Sequence, residues 1–488
     1  MKREYLFLGA IFAAVFAARL YFSFKTPHFS YDGYFALRQV SEIIASGVPS
    51  FNHLSYSEHF FLPAFHYVLA GFSFIFPPQL VLKIVPNIFA SSLVIVAYLL
   101  SYEITKHRSA SLFAAIAAGF IPVYFSETLN SISVHSFTIP LSMFLLYAFL
   151  KTEKKGFIVV FVSGMLVFAL TDASAIIFIL GLLFYMALAK VENLTQSKSE
   201  VEVILFSSLF VTWLLFLAFK APLLEYGIMT IWQNIPEALI SARFVSLNPI
   251  EAVYYIGLLP FFAGVFVIYR YMFREKLKQI YLLMSFALVI FLMLWLQLVE
   301  LKLGLFFLGS IIAVLFGQFY VIFSAYIDKT KAAGVKSLLI SLFAVALVLS
   351  LIWPSFSAAE SAVQNAPSDE VISALEWARE NTENDAVILA PVELGHLVTA
   401  VANRHNVIDT NFLFATGIEQ RFSDFNDIYF SSSETDSIRL LNKYGVDYII
   451  PIQVNASKKP VNLELNKECF KQVYYPDPGI YKSVCDVN

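Results

Sequence analysis

The residues whose types could do chemistry are few and gather in two places. The first is the stretch from residue 25 to 79, where His28, Asp32, Arg38, His53, Glu58, His59 and His66 fall within 55 residues of a chain that is only 14% charged. A connection of that length is far longer than packed elements need, which marks it as functional or disordered, and the run Phe29-Ser30-Tyr31-Asp32-Gly33-Tyr34-Phe35 is too aromatic for disorder. Asp32 immediately precedes an amphipathic stretch, Ala36 to Ala45, closed by Gly47 and Pro49. A carboxylate there can cap a helix N-terminus, or it can serve as a general base or a metal ligand. The second place is Phe125 to His135, with one acid, Glu127, and one histidine. Two carboxylates from separate loops on one face could hold a divalent cation, Mg or Mn, or activate a nucleophile. The alternative for Glu127 is a solvated loop residue.

The elements that must position these residues are set by composition. The chain has 488 residues, 58% hydrophobic and 16% aromatic, where a soluble domain carries about 25% charge. Apolar stretches long enough to cross hydrocarbon recur from Tyr5 to Trp353, which excludes ordinary cytosolic, secreted and coiled-coil classes. Hydropathy predicts eleven spans near residues 5–24, 80–102, 110–125, 137–150, 157–171, 174–189, 201–219, 252–269, 279–298, 303–325 and 337–353. With the N-terminus in the cytoplasm, sixteen Lys and Arg fall on the inner side and six on the outer. Phe60 to Phe76 is nearly apolar for about 17 residues, but counting it as a span would turn the basic clusters Lys151–Lys155 and Arg270–Lys278 outward. It therefore reads as interfacial or re-entrant. The first apolar run is long and lacks a small-residue cleavage site, so it reads as a retained span rather than a signal peptide.

An odd span count puts the tail outside. Residues 1–354 form the membrane domain, with its long first outer loop 25–79, and residues 355–488 an exterior domain of opposite charge, 10 Lys and Arg against 19 Asp and Glu. Such an acidic surface offers nothing to nucleic acid. Ser368 caps a helix with apolar face Val371, Ile372, Leu375 and Ala378. Ala386–Ala390 predicts a strand, Glu393–Ala402 a helix, Val407–Ile408 a strand, Glu434–Lys443 a helix and Asp447–Ile452 a strand. That alternation predicts an α/β domain with a parallel sheet. The only cysteines, Cys469 and Cys485, flank two β-rich runs around Pro476-Asp477-Pro478-Gly479, so a hairpin would bring them together as a disulfide; two free thiols are the alternative. Asn455-Ala456-Ser457 matches a glycosylation sequon, a pattern common by chance.

Several other groups are candidates. Arg19, near the outer end of the first span, could snorkel or bind a lipid phosphate. Glu225, Trp232, Glu237 and Arg243 occupy the outer loop 220–250, which could lie over a cleft, while Asp172 in a tight outer turn reads as a turn former. No phosphate-binding glycine loop or HExxH spacing occurs.

Together, a first span carrying an arginine, then Ser30-Tyr31-Asp32-Gly33-Tyr34-Phe35-Ala36-Leu37-Arg38-Gln39-Val40 in a long outer loop, many spans and an exterior α/β tail resemble the GT-C superfamily of membrane glycosyltransferases. In the tail, Leu375-Glu376-Trp377-Ala378-Arg379-Glu380-Asn381-Thr382, Asp385-Ala386-Val387-Ile388-Leu389, Asn403-Arg404, Val407-Ile408-Asp409-Thr410-Asn411 and Tyr444-Gly445-Val446-Asp447-Tyr448 resemble the oligosaccharyltransferase catalytic subunit in order and spacing. The resemblance implies a GT-C-like membrane fold and transfer from a polyprenyl-phosphate-linked sugar to a protein or lipid-glycan acceptor. It matches Asp32 to a first-loop aspartate that holds metal and acceptor, and Glu127, approximately, to a second-loop acid that is usually paired and here is single. The acceptor-reading WWDYG motif falls at Pro391-Val392-Glu393-Leu394-Gly395, keeping an acid and the glycine without the tryptophans or tyrosine. A glycosyltransferase of this architecture is therefore better supported than a true oligosaccharyltransferase.

The expected site is Asp32 and Glu127 as catalytic and metal-binding groups, with Arg19, His28, Tyr31, Arg38, Glu58, His135, Arg243 and Glu393 around the substrate. Two other classes compete. A non-catalytic GT-C-like subunit fits the single acid and altered tail motif; a lipid or solute transporter would need ionisable groups at the bilayer midplane, whereas most here sit at ends and loops.

Overall fold

A computed structural model describes residues 2–49, 54–57, 61–245, 248–431, 433–451 and 468–485. His53, Glu58, His59 and the sequon at Asn455 lie outside the described residues.

The chain is mostly helical. α1 (Lys2–Ser23) is followed by α2 (Tyr31–Ser46) and α3 (Ala64–Ser73) in the first loop, then α4 (Pro78–Thr105), α5 (Arg108–Gly119), α6 (Pro122–Glu127), α7 (His135–Phe149), α8 (Lys155–Thr171), α9 (Ala175–Val191) and α10 (Lys198–Ala218). Short α11 (Lys220–Tyr226) and α12 (Glu237–Arg243) precede α13 (Pro249–Ile256), α14 (Leu258–Phe273), α15 (Lys278–Trp295), α16 (Leu301–Asp328) and α17 (Lys336–Gln364). Six of the described helices are long and apolar enough to cross a membrane, and seven if α13 and α14, bent by 108°, count as one. α7, α8 and α9 are shorter apolar helices. Every expected span thus holds a helix or a helix pair, but the count of eleven exceeds those that meet the length test. The third expected span is broken where Pro122, with no amide hydrogen to give, starts α6 after α5 has ended. The multi-pass character stands.

α3 has ten residues, roughly 15 Å of helix, half of what hydrocarbon demands. It is no span, and its apolar face packs against α2.

The tail adds α18 (Asp369–Asn381), capped by Ser368 accepting from the Val371 amide, then β1 (Val387–Leu389), α19 (Gly395–Leu397), β2 (His405–Asn406), α20 (Ile418–Phe430), α21 (Glu434–Lys443), β3 (Tyr448–Ile449), β4 (Phe470–Tyr474) and β5 (Ile480–Ser483). The sheet order is β2-β1-β3-β5-β4. β2-β1-β3 is parallel, as crossover helices require, but β5 runs antiparallel to both β3 and β4. The sheet is therefore mixed, because a hairpin supplies its last two strands. Cys469 and Cys485 are disulfide-bonded at the hairpin's open end. The strand expected at Val407–Ile408 lies instead at His405–Asn406, leaving those two residues outside it, and α20 was not expected.

The tail shares its apolar cores with two outer loops. Phe29, Tyr34, Val40, Phe65 and Leu69 of the first loop form one buried cluster with Leu375, Ile388 and Leu397 of the tail. Ile235 and Phe244 of loop 220–250 join Phe412, Ile418 and Tyr429 in another. Burial of such side chains is worth about 1.5–3 kcal/mol each, so tail and loops form one body.

His66 sits in this joint, packed edge-on against Phe61 and Phe65. Burial pushes its pKa down to about 4, below the unfolded value of about 6.5. The stability it contributes is whole above the unfolded pKa and is lost as pH falls towards the folded one. At pH 5 the loss is about 2 kcal/mol. We expect the thermal midpoint to fall between pH 7 and pH 5 and His66→Phe to remove most of that fall; equal acid sensitivity in both proteins would contradict this.

Candidate functional site

The floor of the site begins inside the membrane. Arg19 of α1 is 1% exposed, and a guanidinium at that depth needs partners. Nε donates to Asn87 Oδ1 of α4 at 2.8 Å, Nη2 to Thr128 Oγ1 at 2.7 Å and Nη1 to the Phe125 carbonyl at 3.3 Å. Arg19 therefore neither snorkels nor faces a lipid headgroup; it ties the first span to the second outer loop. At the exit of α1, Ser23 and Asn130 bond to each other, and the Asn130 carbonyl accepts the Ser30 amide at 3.0 Å. Asn130 and Ile132 have left-handed backbones, with φ of 56° and 50°, which turns the Asn130 carbonyl towards the start of α2. Gly33 lies against it so closely that a Cβ would be 2.8 Å from the Asn130 oxygen.

This seat fixes Asp32. Ser30 is the N-cap of α2 but makes no side-chain cap bond. Asp32 lies in the first turn, where the helix dipole favours a negative charge. Its side chain is exposed rather than capping, and Oδ1 accepts from the Thr410 hydroxyl of the tail at 3.4 Å. Thr410 Oγ1 also lies 3.0 Å from His396 Nε2, and His396 Nδ1 is 3.8 Å from Asp409 Oδ2. Asp409 is fully buried and accepts from Ser55 Oγ, Asn406 Nδ2 and the Asn411 amide at 2.8–2.9 Å.

The other expected residues divide into groups. Tyr31 and Glu393 are neighbours, burial and the Glu393 charge together holding the Tyr31 phenol above its ordinary pKa. His28 Nε2 bonds Asp369 Oδ1 at 2.7 Å, fastening the loop to α18. Arg38, two turns beyond Asp32, is buried; desolvation lowers its pKa against the fields of Glu42 and Asp409. Arg243 lies over the Phe412 ring at 5.9 Å. The loop carrying it covers a hollow of about 610 Å³ lined by Trp232, Glu237, Ser241, Phe244 and Leu296.

Glu127 is not brought to Asp32 by any contact among the described residues. It closes α6 and pairs with Lys302 at 2.8 Å. His135 is likewise turned to Asp172 at 3.0 Å. Asp172, expected as a turn former, does bond the Ser174 amide, and it also anchors His135 and Thr138. Glu127 and Asp32 are each engaged with another residue, Lys302 and Thr410, and share no contact among the described residues. Among the described residues no group of three His, Cys, Asp or Glu could hold a metal ion.

Sequence reasoning missed His396 and Thr410. Asp409-Thr410-Asn411 was visible as part of a family-like run without a role, and His396 directly follows the altered WWDYG stretch.

No family model matches the sequence, and no curated protein matches it. Solved structures do. The oligosaccharyltransferase AglB of Archaeoglobus fulgidus, in complex with an inhibitory peptide and a dolichol-phosphate, has a TM-score of 0.68 at 14% identity, covering 90% of this chain and 69% of that one. ArnT of Cupriavidus metallidurans bound to undecaprenyl phosphate has a TM-score of 0.57 at 12% identity over 97% and 98%. The mycobacterial arabinofuranosyltransferase AftD has 0.57 at 13%, over 97% of this chain and 40% of its own. These neighbours are GT-C glycosyltransferases, and the chain shares their fold.

Gly33→Ala tests the seat. Its Cβ would sit 2.8 Å from the Asn130 oxygen and 2.9 Å from Phe29 Cβ, whereas one at Gly71 meets nothing within 4 Å. We expect Gly33→Ala to cost about 1–3 kcal/mol, as overpacking does, and Gly71→Ala to leave the thermal midpoint unchanged. Equal midpoints for the two would refute the close seat.

Proposed function

We propose that the chain is an integral-membrane glycosyltransferase that moves a sugar or oligosaccharide from a polyprenyl-phosphate-linked donor to an acceptor on the non-cytoplasmic face, with Asp32 as general base. The observation that carries the reading is the convergence of three distant segments on one exposed carboxylate: the start of α2, the second outer loop through Asn130, and the tail through Thr410. An acid in a merely solvated loop needs no such assembly.

In this reading all eleven apolar stretches cross the bilayer, the bent pair counting once, with residues 1–354 as the membrane domain and 355–488 as an exterior domain. The inner side carries most of the Lys and Arg. Neighbours of the same fold are described with dolichol-phosphate, undecaprenyl phosphate and peptide, which supports a lipid-phosphate leaving group. Arg38, in the field of Asp409, and Arg243, over the Phe412 ring, both lie at the joint between loops and tail, and they would meet the donor's phosphate. Arg19 is spent on Asn87 and Thr128. One neighbour is described with Zn and sulfate.

Asp32 would take the acceptor's proton as its oxygen or nitrogen attacks the anomeric carbon, and the lipid phosphate departs. The pairing of Glu127 with Lys302 favours a second reading, a non-catalytic subunit of this fold. One experiment separates them. Purified protein is incubated with a panel of polyprenyl-linked sugars, and released lipid phosphate is measured by mass spectrometry. Transfer should fall at least about 100-fold in Asp32→Asn, the scale of a lost general base, and much less in Glu127→Gln. Near-normal transfer by Asp32→Asn would remove Asp32 from the mechanism.

A further inference from the structure

We propose that the acceptor is an alcohol, and that it binds where the Thr410 hydroxyl now stands, between Asp32 and His396. The inference rests on the glycosyltransferase reading above and narrows its acceptor class.

A hydroxyl has one hydrogen to donate and two lone pairs. We assign the single Thr410 hydrogen to Asp32 Oδ1, 3.4 Å away, which makes the ring the donor in the 3.0 Å contact with His396 Nε2. One lone pair of that oxygen is then engaged and the other is free. An acceptor alcohol in the same position has its proton on the base, one lone pair held by the imidazole N–H, and one lone pair left to attack. His396 is buried, against the ring of Phe35 at 5.2 Å, so its Nε2 is held in place from the α2 side.

An asparagine amide fails the same count. Its nitrogen lone pair is delocalised into the carbonyl, and both remaining positions on nitrogen are N–H donors. One could point to Asp32, but the other would face the His396 N–H, donor against donor at about hydrogen-bond distance. A second carboxylate could have received that hydrogen. Glu127, the second-loop candidate, is held on Lys302.

The step balances. The acceptor oxygen bonds the anomeric carbon, its proton passes to Asp32, and the bond from that carbon to the phosphate oxygen breaks with its electron pair leaving on the polyprenyl phosphate. Asp32 then returns its proton to water.

The test uses the full chain in nanodiscs with polyprenyl-linked sugars and two acceptors. One is octyl β-glucoside, which offers only hydroxyls; the other is a peptide containing Asn with no Ser, Thr or Tyr. We expect lipid phosphate release with a glycosylated octyl glucoside and no modified peptide. Sugar on the asparagine would overturn the alcohol assignment and leave the glycosyltransferase reading standing. No lipid phosphate release with any donor would overturn both. In Thr410→Ala the acceptor no longer displaces a resident hydroxyl, so its KM should fall about threefold with kcat within twofold, and Thr410→Ser should behave as the parent. A tenfold drop in kcat for Thr410→Ala would mean that Thr410 belongs to the machinery, and the stand-in would be wrong.

Discussion

The outer face depends on one cation in the membrane. Arg19 cannot be left unpaired in a low-dielectric span, and the groups that satisfy it come from α4 and from the second outer loop. That requirement holds the loop down over the end of α1. From there the constraint passes outward through Asn130, whose side chain clasps Ser23 and whose carbonyl receives the first amide of the α2 entry. Gly33 is needed because nothing larger fits over that carbonyl. The position of Asp32 follows from a polar group in the preceding helix, Arg19 of α1.

The tail supplies the other half. Its apolar residues are not confined to its own sheet but are completed by Phe65 and Leu69 on one side and Ile235 and Phe244 on the other. A tail that merely hung from the last span would have kept its core to itself. Polar links follow the same seams: His28 with Asp369, the Asn406 amide with the Leu54 carbonyl, and Asn234 with the carbonyls of Phe412 and Ala415. Each is a local bond, yet together they bring residues some 380 positions apart, Asp32 and Thr410, to one place.

Much of the fold was legible because it follows from periodicity and composition. Apolar runs announced the helices, and Ser368, the β-rich flanks of Pro476–Gly479 and the two cysteines announced elements of the tail. The number of spans was less so, since Pro122 and the bend at Gly257 break helices that hydropathy averages into single stretches. The mixed sheet escaped because strand direction depends on which neighbour a hairpin chooses, a long-range fact. At the site, Asp32 could be singled out by its local surroundings, whereas Arg19 was misread: a lone arginine near a span end looks the same whether it reaches for water or for an asparagine 68 residues away. His396 and Thr410 carry no spacing signature of their own, because their meaning arises only when the tail lies against α2.

α17 gives the site a sequence in time. It is the helix that leads into the tail, and only 11% of its apolar window is covered by the rest of the protein. Its packing runs along one side, from Phe343 among Phe113, Phe316, Phe319, Tyr320 and Phe323 to Ser355 on the Phe120 carbonyl and Phe356 among Phe22, Phe120 and Phe125. Everything that surrounds Asp32 from above is translated after this helix. During synthesis Asp32 is therefore made long before His396 and Thr410 reach it, and a nascent chain carries the carboxylate without the tail that lies against it. Completion of the polypeptide is itself the step that assembles these contacts.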